Sequence, residues 1–224
     1  MRMRVVHVLL LLVESCTCLF SCSCRGPAAV PRAQPPRLDG IPKAVYKANG
    51  ASKWIVVAAQ TTAVATRRDL VAPYIVVGSI AASFGTAKLK RMINQQRPAG
   101  APFSDPGMPS SHALVATFAA AAWAAHLRNL AVGLGLAAIA GTVSLLRVVT
   151  GYHTWAQIGV GAALGTASAC AWMAIGAQIL STAIIATRHQ YAAVYGVYLG
   201  GSALFIGRKM SKWSSWSESS GGGD

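Results

Sequence analysis

Apolar residues run in blocks along this chain, and polar residues fall in short islands between them. The first block, 51–66, stops at Arg67, Arg68 and Asp69. Block 70–87 would rise about 27 Å as a helix, enough to cross a bilayer's hydrocarbon core. Blocks 112–127 and 130–146 read as a helical hairpin joined at Arg128 and Asn129. Block 155–185 is longer than one crossing needs, so it tilts or its end leaves the bilayer. Block 191–206 is the last. The pattern predicts an all-α chain, a polytopic transmembrane helical bundle of about six spans. Gly161 and Gly165 form a small-xxx-small pair, which predicts close helix packing.

The ends of the chain differ from this core. Residues 1–40 begin with "MRMR", continue through a short apolar run at 5–13 and become Pro/Arg-rich in "RGPAAVPRAQPPRLDG". This is a targeting segment, read equally well as a transit peptide or a signal peptide. Residues 41–209 form the membrane domain. Residues 210–224, "MSKWSSWSESSGGGD", read as a disordered polar tail.

Composition sharpens the membrane reading. Of 224 residues, 54% are hydrophobic and 12% charged, about half the charge of a soluble domain. The formal net charge of +14 does not point to nucleic acid, because Lys and Arg are spread over the ends of apolar blocks rather than gathered on one soluble face. Four of the five cysteines lie at 16–24. Their C-x-C spacing fits no common zinc pattern, and their place suggests part of a leader.

Six spans impose a parity rule that gives the polar islands a meaning. The islands at 88–112 and 147–157 must face the same side. One rim therefore gathers Lys90, Arg97, Ser110, Ser111, His112, Arg147, His153 and Gln157. Taken singly, Lys90 and Arg97 also read as topology flanks, Ser110 as a helix cap, the histidines as interfacial polar residues and Arg147 as a snorkelling cation. Taken together they suit an anion, phosphate best. Two guanidinium forks can each grip two oxygens and a lysine adds a point charge. Asp105 stands alone, so paired-carboxylate hydrolysis is excluded. A Mg²⁺ or Ca²⁺ site would want several carboxylates, and the cations would repel zinc. Pro98 is expected to pull Arg97 out of helical geometry. Pro109 precedes a helix start with Ser110 and Ser111 as caps, whose free N–H groups would cradle an anion beside His112.

These islands resemble the type 2 phosphatidic-acid phosphatase superfamily, which also contains the vanadium haloperoxidases. Its pattern is K-x₆-RP, then PSGH, then SR-x₅-H-x₃-D. Here the matches are Lys90 to Arg97-Pro98, then Pro109-Ser-Ser-His112, then Arg147, His153 and Gln157, across about residues 50–185. The resemblance implies a phosphatidic-acid phosphatase/haloperoxidase-like core. It implies His153 as the nucleophile that becomes a phosphohistidine, His112 as general acid/base, and Lys90, Arg97, Ser110, Ser111 and Arg147 as phosphate ligands. No metal or other cofactor is implied. PSGH has become PSSH, the serine before Arg147 is Leu146, and the closing aspartate is Gln157. A glutamine carbonyl accepts the imidazole hydrogen bond and fixes the tautomer without adding negative charge.

Two branches resemble the chain further. Both resemble it in having the glutamine; chloroplastic lipid phosphate phosphatases of the epsilon type also share "SKWIV" at 52–56 and "DPGMPSSHA" at 105–113, and dolichyl-diphosphatases share "GMPSSH" and the "YHTW" run. The first implies a phosphatidate phosphatase in the chloroplast envelope or another plastid membrane. The second leaves a dolichyl or polyprenyl diphosphate phosphatase in the endoplasmic reticulum membrane. A non-catalytic lipid-phosphate-binding membrane protein is the third possibility, left open by Gln157 and Leu146. Beyond residue 40, only Arg67, Arg68, Arg128 and Arg188 lie on the rim opposite the islands. The positive-inside rule then turns the site toward cytosol or stroma. The expected partner is a lipid phosphate.

Overall fold

The computed structural model describes residues 40–67, 69–101, 105–181 and 188–220. The cysteine cluster and nearly all of the targeting segment lie outside the described residues. Six helices follow one another: α1 Lys43–Thr66, α2 Val71–Ile93, α3 Ser111–Leu127, α4 Leu130–Val149, α5 Trp155–Ser181 and α6 Arg188–Ser220. The described residues contain no strand, and the chain is an all-α bundle.

Local chemistry sets the boundaries. Asp69 opens α2, its Oδ1 accepting from the Ala72 N–H at 2.8 Å while Arg67 pairs with its other oxygen. Asn94 closes the same helix in the left-handed region at φ 48°, a conformation that asparagine tolerates better than most side chains. Helix α2 thus ends four residues before Pro98, which does not itself terminate it. Arg128, at φ 50°, turns the chain after α3, and Asn129 caps α4 by accepting from the Val132 N–H at 3.0 Å. This is the tight hairpin expected from those two residues.

Helices α1 and α6 extend beyond the apolar blocks that predict them. Helix α1 starts at Lys43, ahead of the apolar block, directly after Pro42, and no proline interrupts it. Helix α5 starts at Trp155, where its apolar block begins. Helix α6 continues to Ser220, where a disordered tail from 210 was expected. Residues 208–220 contain neither glycine nor proline, and the first breakers come at Gly221–Gly223.

Helix α3 is the centre of the bundle, packed against α5, α4 and α2. Ile75 and Val76 of α2 meet Phe118, Ala122 and Trp123 of α3 and Ala169 of α5. Tyr74 and Trp172 stack at 4.8 Å, and each donates to the other's backbone carbonyl. Gly161 and Gly165 face α3 as the small-xxx-small pair predicts. A Cβ at Gly165 would run into Thr117 Oγ1 and the Leu114 carbonyl.

The outside of the bundle is apolar and part of its inside is polar. Leu130, Leu134 and Ile139 of α4 point outward, while three of the four buried residues of α1 are Asn49, Ser52 and Gln60. That inversion suits lipid rather than water as the surrounding medium. Among the described residues three helices, against about six spans expected, are long and apolar enough to cross a membrane: Val71–Ile93, Leu130–Val149 and Trp155–Gln178. Helix α3 has 17 residues and sits enclosed by its neighbours.

Candidate active site

The end of α2, the start of α3, the end of α4 and the start of α5 converge on one rim, bringing the two polar islands together. The stretch "TGYHTWAQ", 150–157, shows how two of these elements are joined. Helix α4 closes with Gly151 in the left-handed region at φ 72°. The Tyr152 N–H donates to the Arg147 carbonyl and the Gly151 N–H to that of Val148, which is a Schellman close. The His153 N–H joins the Arg147 carbonyl at 3.1 Å. The five-residue gap between Arg147 and His153 is the length of this turn, so the backbone itself ties histidine to arginine.

A capping box follows at once. Thr154 Oγ1 accepts from the Gln157 N–H, and Gln157 Oε1 accepts from the Thr154 N–H, each at 3.3 Å. This T-x-x-Q arrangement starts α5. His153 therefore precedes the helix, and its Nδ1 lies 3.0 Å from Gln157 Oε1. Gln157 serves the helix and the imidazole with one oxygen.

Hydrogen-bond direction fixes the His153 tautomer. Arg97 Nη1, which can only donate, is 3.1 Å from His153 Nε2, so Nε2 accepts and the ring proton sits on Nδ1. Gln157 Nε2 donates to the Gln96 carbonyl at 2.8 Å, so the amide turns its oxygen toward Nδ1. Gly107 makes room for this amide; a Cβ there would meet all three of its terminal atoms. His153 is 3% exposed and Gln157 1%. Burial, and after it the charges of Arg97 and Arg147, push the imidazole down from 6.5 to about 3, against the Gln157 hydrogen bond. The ring is neutral at physiological pH, with Nε2 next to a guanidinium.

Asp105 gathers the first motif, a part the sequence reading did not assign to it. Its Oδ2 accepts from Lys90 Nζ at 3.2 Å and from Arg97 Nη2 at 2.9 Å. Arg97 also donates to the Asp105 and Tyr152 carbonyls, and Lys90 to that of Pro106. Burial alone would raise the Asp105 pKa. The charges and hydrogen bonds of Arg97 and Lys90 outweigh it and hold the carboxyl below its ordinary value. The Asp105 side chain is 50% exposed, so it can leave.

Ser110 occupies the N-cap position of α3, but its side chain caps nothing. Instead, its N–H donates to the Gln157 carbonyl at 3.0 Å, which pins the start of α3 to α5. Ser110 Oγ and Arg147 Nε are buried without a hydrogen-bond partner. An unmatched buried donor costs about 1–3 kcal/mol, and an anion's oxygens would satisfy both. Ser111 and His112 lie half-buried in the first turn of α3. Arg147 Nη1 donates to Asn49 of α1 at 3.1 Å, and the Tyr152 ring lies 4.5 Å from its guanidinium carbon. Hydrogen bonds thus join Lys90, Arg97, Ser110, Arg147, His153 and Gln157 in one network, which also takes in Asp105, Asn49 and Gln96. Among the described residues no group of three or more His, Cys, Asp or Glu could hold a metal ion.

Known proteins carry the same segment. The family model of the PAP2 superfamily matches residues 71–181, which include all eight residues singled out from the sequence. The chain is 30% identical to lipid phosphate phosphatase epsilon 2, chloroplastic, of Arabidopsis thaliana over 174 residues, 74% of this chain and 61% of that protein. It is 35% identical to lipid phosphate phosphatase epsilon 1, chloroplastic, of the same plant over 147 residues, 62% of this chain and 53% of that protein. The chain therefore spans less than two thirds of either relative. No solved structure matches it.

Proposed function

This chain belongs to the PAP2 superfamily, and from that premise we propose that it is a membrane lipid phosphatase. It hydrolyses phosphatidate to diacylglycerol and phosphate, without Mg²⁺, through a phosphohistidine. The observation that carries the reading is the state of His153: neutral, protonated on Nδ1 toward Gln157, with Nε2 against Arg97.

Nε2 attacks phosphorus, the bond from phosphorus to the glycerol oxygen breaks, and His112 protonates that oxygen. Water then attacks the phosphohistidine with His112 as base, which releases phosphate and restores the ring. Lys90, Arg97, Ser110, Ser111 and Arg147 hold the phosphoryl oxygens, where negative charge grows in each transition state. Gln157 keeps the ring oriented throughout. The apolar outer face of the bundle leaves the acyl chains in lipid while the headgroup reaches the rim. The names of the two similar proteins support a plastid membrane as the host.

The test is phosphate release by purified protein in EDTA, with phosphatidate and a prenyl diphosphate offered separately, beside His153→Ala. Release from phosphatidate that the variant lacks is expected. Release from the prenyl substrate alone would move the reading to a polyprenyl diphosphate phosphatase. Silence toward both would leave a lipid-phosphate-binding protein.

A further inference from the structure

Asn49 lies on α1, outside the segment 71–181 that matches the family, and is 1% exposed. A fully buried amide on a helix that faces lipid elsewhere needs both of its ends satisfied. Nδ2 donates to Thr150 Oγ1 at 3.1 Å, and Oδ1 accepts from Arg147 Nη1 at 3.1 Å. Direction is forced along this chain. The Thr150 hydroxyl donates to the Leu146 carbonyl at 2.6 Å, so its lone pair takes the Asn49 amide. The Asn49 carbonyl is then left for the arginine.

The guanidinium of Arg147 is held by Asn49 at Nη1 and by the Tyr152 ring against its plane, while Nε has no protein partner. We infer that Asn49 is a positioning residue, which clamps Arg147 so that its Nε edge meets an oxygen of the bound phosphoryl group. The choice of side chain matters. A carboxylate would hold the arginine as well but would neutralise it, whereas a neutral amide leaves the full charge for the anion. Helix α1 is in this way part of the phosphate site, although none of the three phosphatase motifs lies on it. The inference rests on the phosphatase reading only for the class of ligand.

Orthovanadate is a suitable probe, because its binding is measured apart from turnover. Full-length protein in detergent would be titrated calorimetrically, with phosphate release from phosphatidate followed in parallel. Asn49→Ala is expected to weaken vanadate about tenfold, the effect of losing one hydrogen bond to a charged group. In an Arg147→Ala background the same substitution is expected to add nothing, because the clamp has nothing left to hold. Asn49→Asp is expected to weaken vanadate as well, by cancelling the arginine's charge. Thr150→Val, which frees the amide while keeping the side chain's shape, is expected to act in the same direction as Asn49→Ala and serves if that variant does not fold.

Vanadate affinity within about twofold of wild type in either Asn49→Ala or Thr150→Val would overturn the inference. So would an equal loss with and without Arg147, the mark of a merely structural residue. Wild-type protein that binds vanadate but releases no phosphate would contradict the catalytic reading, and the vanadate comparison would still decide the role of Asn49.

Discussion

Gln157 Oε1 lies 3.0 Å from His153 Nδ1 and accepts at the same time from the Thr154 N–H. One glutamine oxygen therefore links the start of α5 to the orientation of the imidazole. Gln157→Leu removes both bonds and strands a buried ring N–H. An unmatched buried donor costs about 1–3 kcal/mol, so kcat is expected to fall roughly 10- to 100-fold with a smaller change in KM. Gln157→Glu keeps the capping box and adds a charge that raises the basicity of the ring, so the acid limb of its pH–rate profile is expected to move up. Turnover at the wild-type rate in Gln157→Leu would contradict the orienting role.

His153 makes stability depend on pH in a known direction. Its folded-state pKa is about 3, below the ordinary value near 6.5. The unfolded chain therefore binds the extra proton first as pH falls. This contribution to stability is whole above about pH 6.5 and is lost as pH drops toward 3, with a slope of at most about 1.4 kcal/mol per pH unit. The difference in thermal stability between wild type and His153→Asn, followed from pH 7 to 4.5, is expected to shrink or reverse with acid. A difference that does not change with pH would show that the ring titrates in the folded protein as it does in the unfolded chain.

Asp105 bridges Lys90 and Arg97, the two cations that open the motif pattern. A phosphoryl group that takes both cations must displace this carboxylate. Asp105→Asn removes the competing charge from a half-exposed pair, and inhibition by inorganic phosphate is expected to tighten about fivefold. Weaker inhibition would mean that the carboxylate holds the cations in place for substrate.

Gly165 carries the closest approach of α5 to α3. Gly165→Ala would drive a methyl group into Thr117 Oγ1 and the Leu114 carbonyl, one turn beyond the Ser110–His112 segment. A loss of about 1–3 kcal/mol is expected from overpacking, seen as a lower Tm in detergent, while Gly159→Ala, with nothing within 4 Å of its Cβ, should change little. Equal Tm values for the two variants would contradict the packing.

Much of this was legible in the sequence, and the reasons are local. Apolar blocks gave the order and number of helices because each block is bounded by residues that cap or turn, as at Arg128 and Asn129. The convergence of Lys90, Arg97, Arg147 and His153 followed from the parity of spans. What stayed hidden depends on distance along the chain or on competing local signals. Asn49 meets Arg147 across 98 positions, and "YKANGASKW" offers no sign of it. Asp105 looked like a lone acid because its partners are known only once α2 stops at Asn94.

The central claim is that His153 takes the phosphoryl group. Radiolabelled phosphatidate, mixed with full-length protein and quenched within one turnover, tests it directly. A base-stable, acid-labile label that maps to His153 and is missing from His153→Ala is the expected result. Label on another residue, or undiminished phosphate release by His153→Ala, would contradict it.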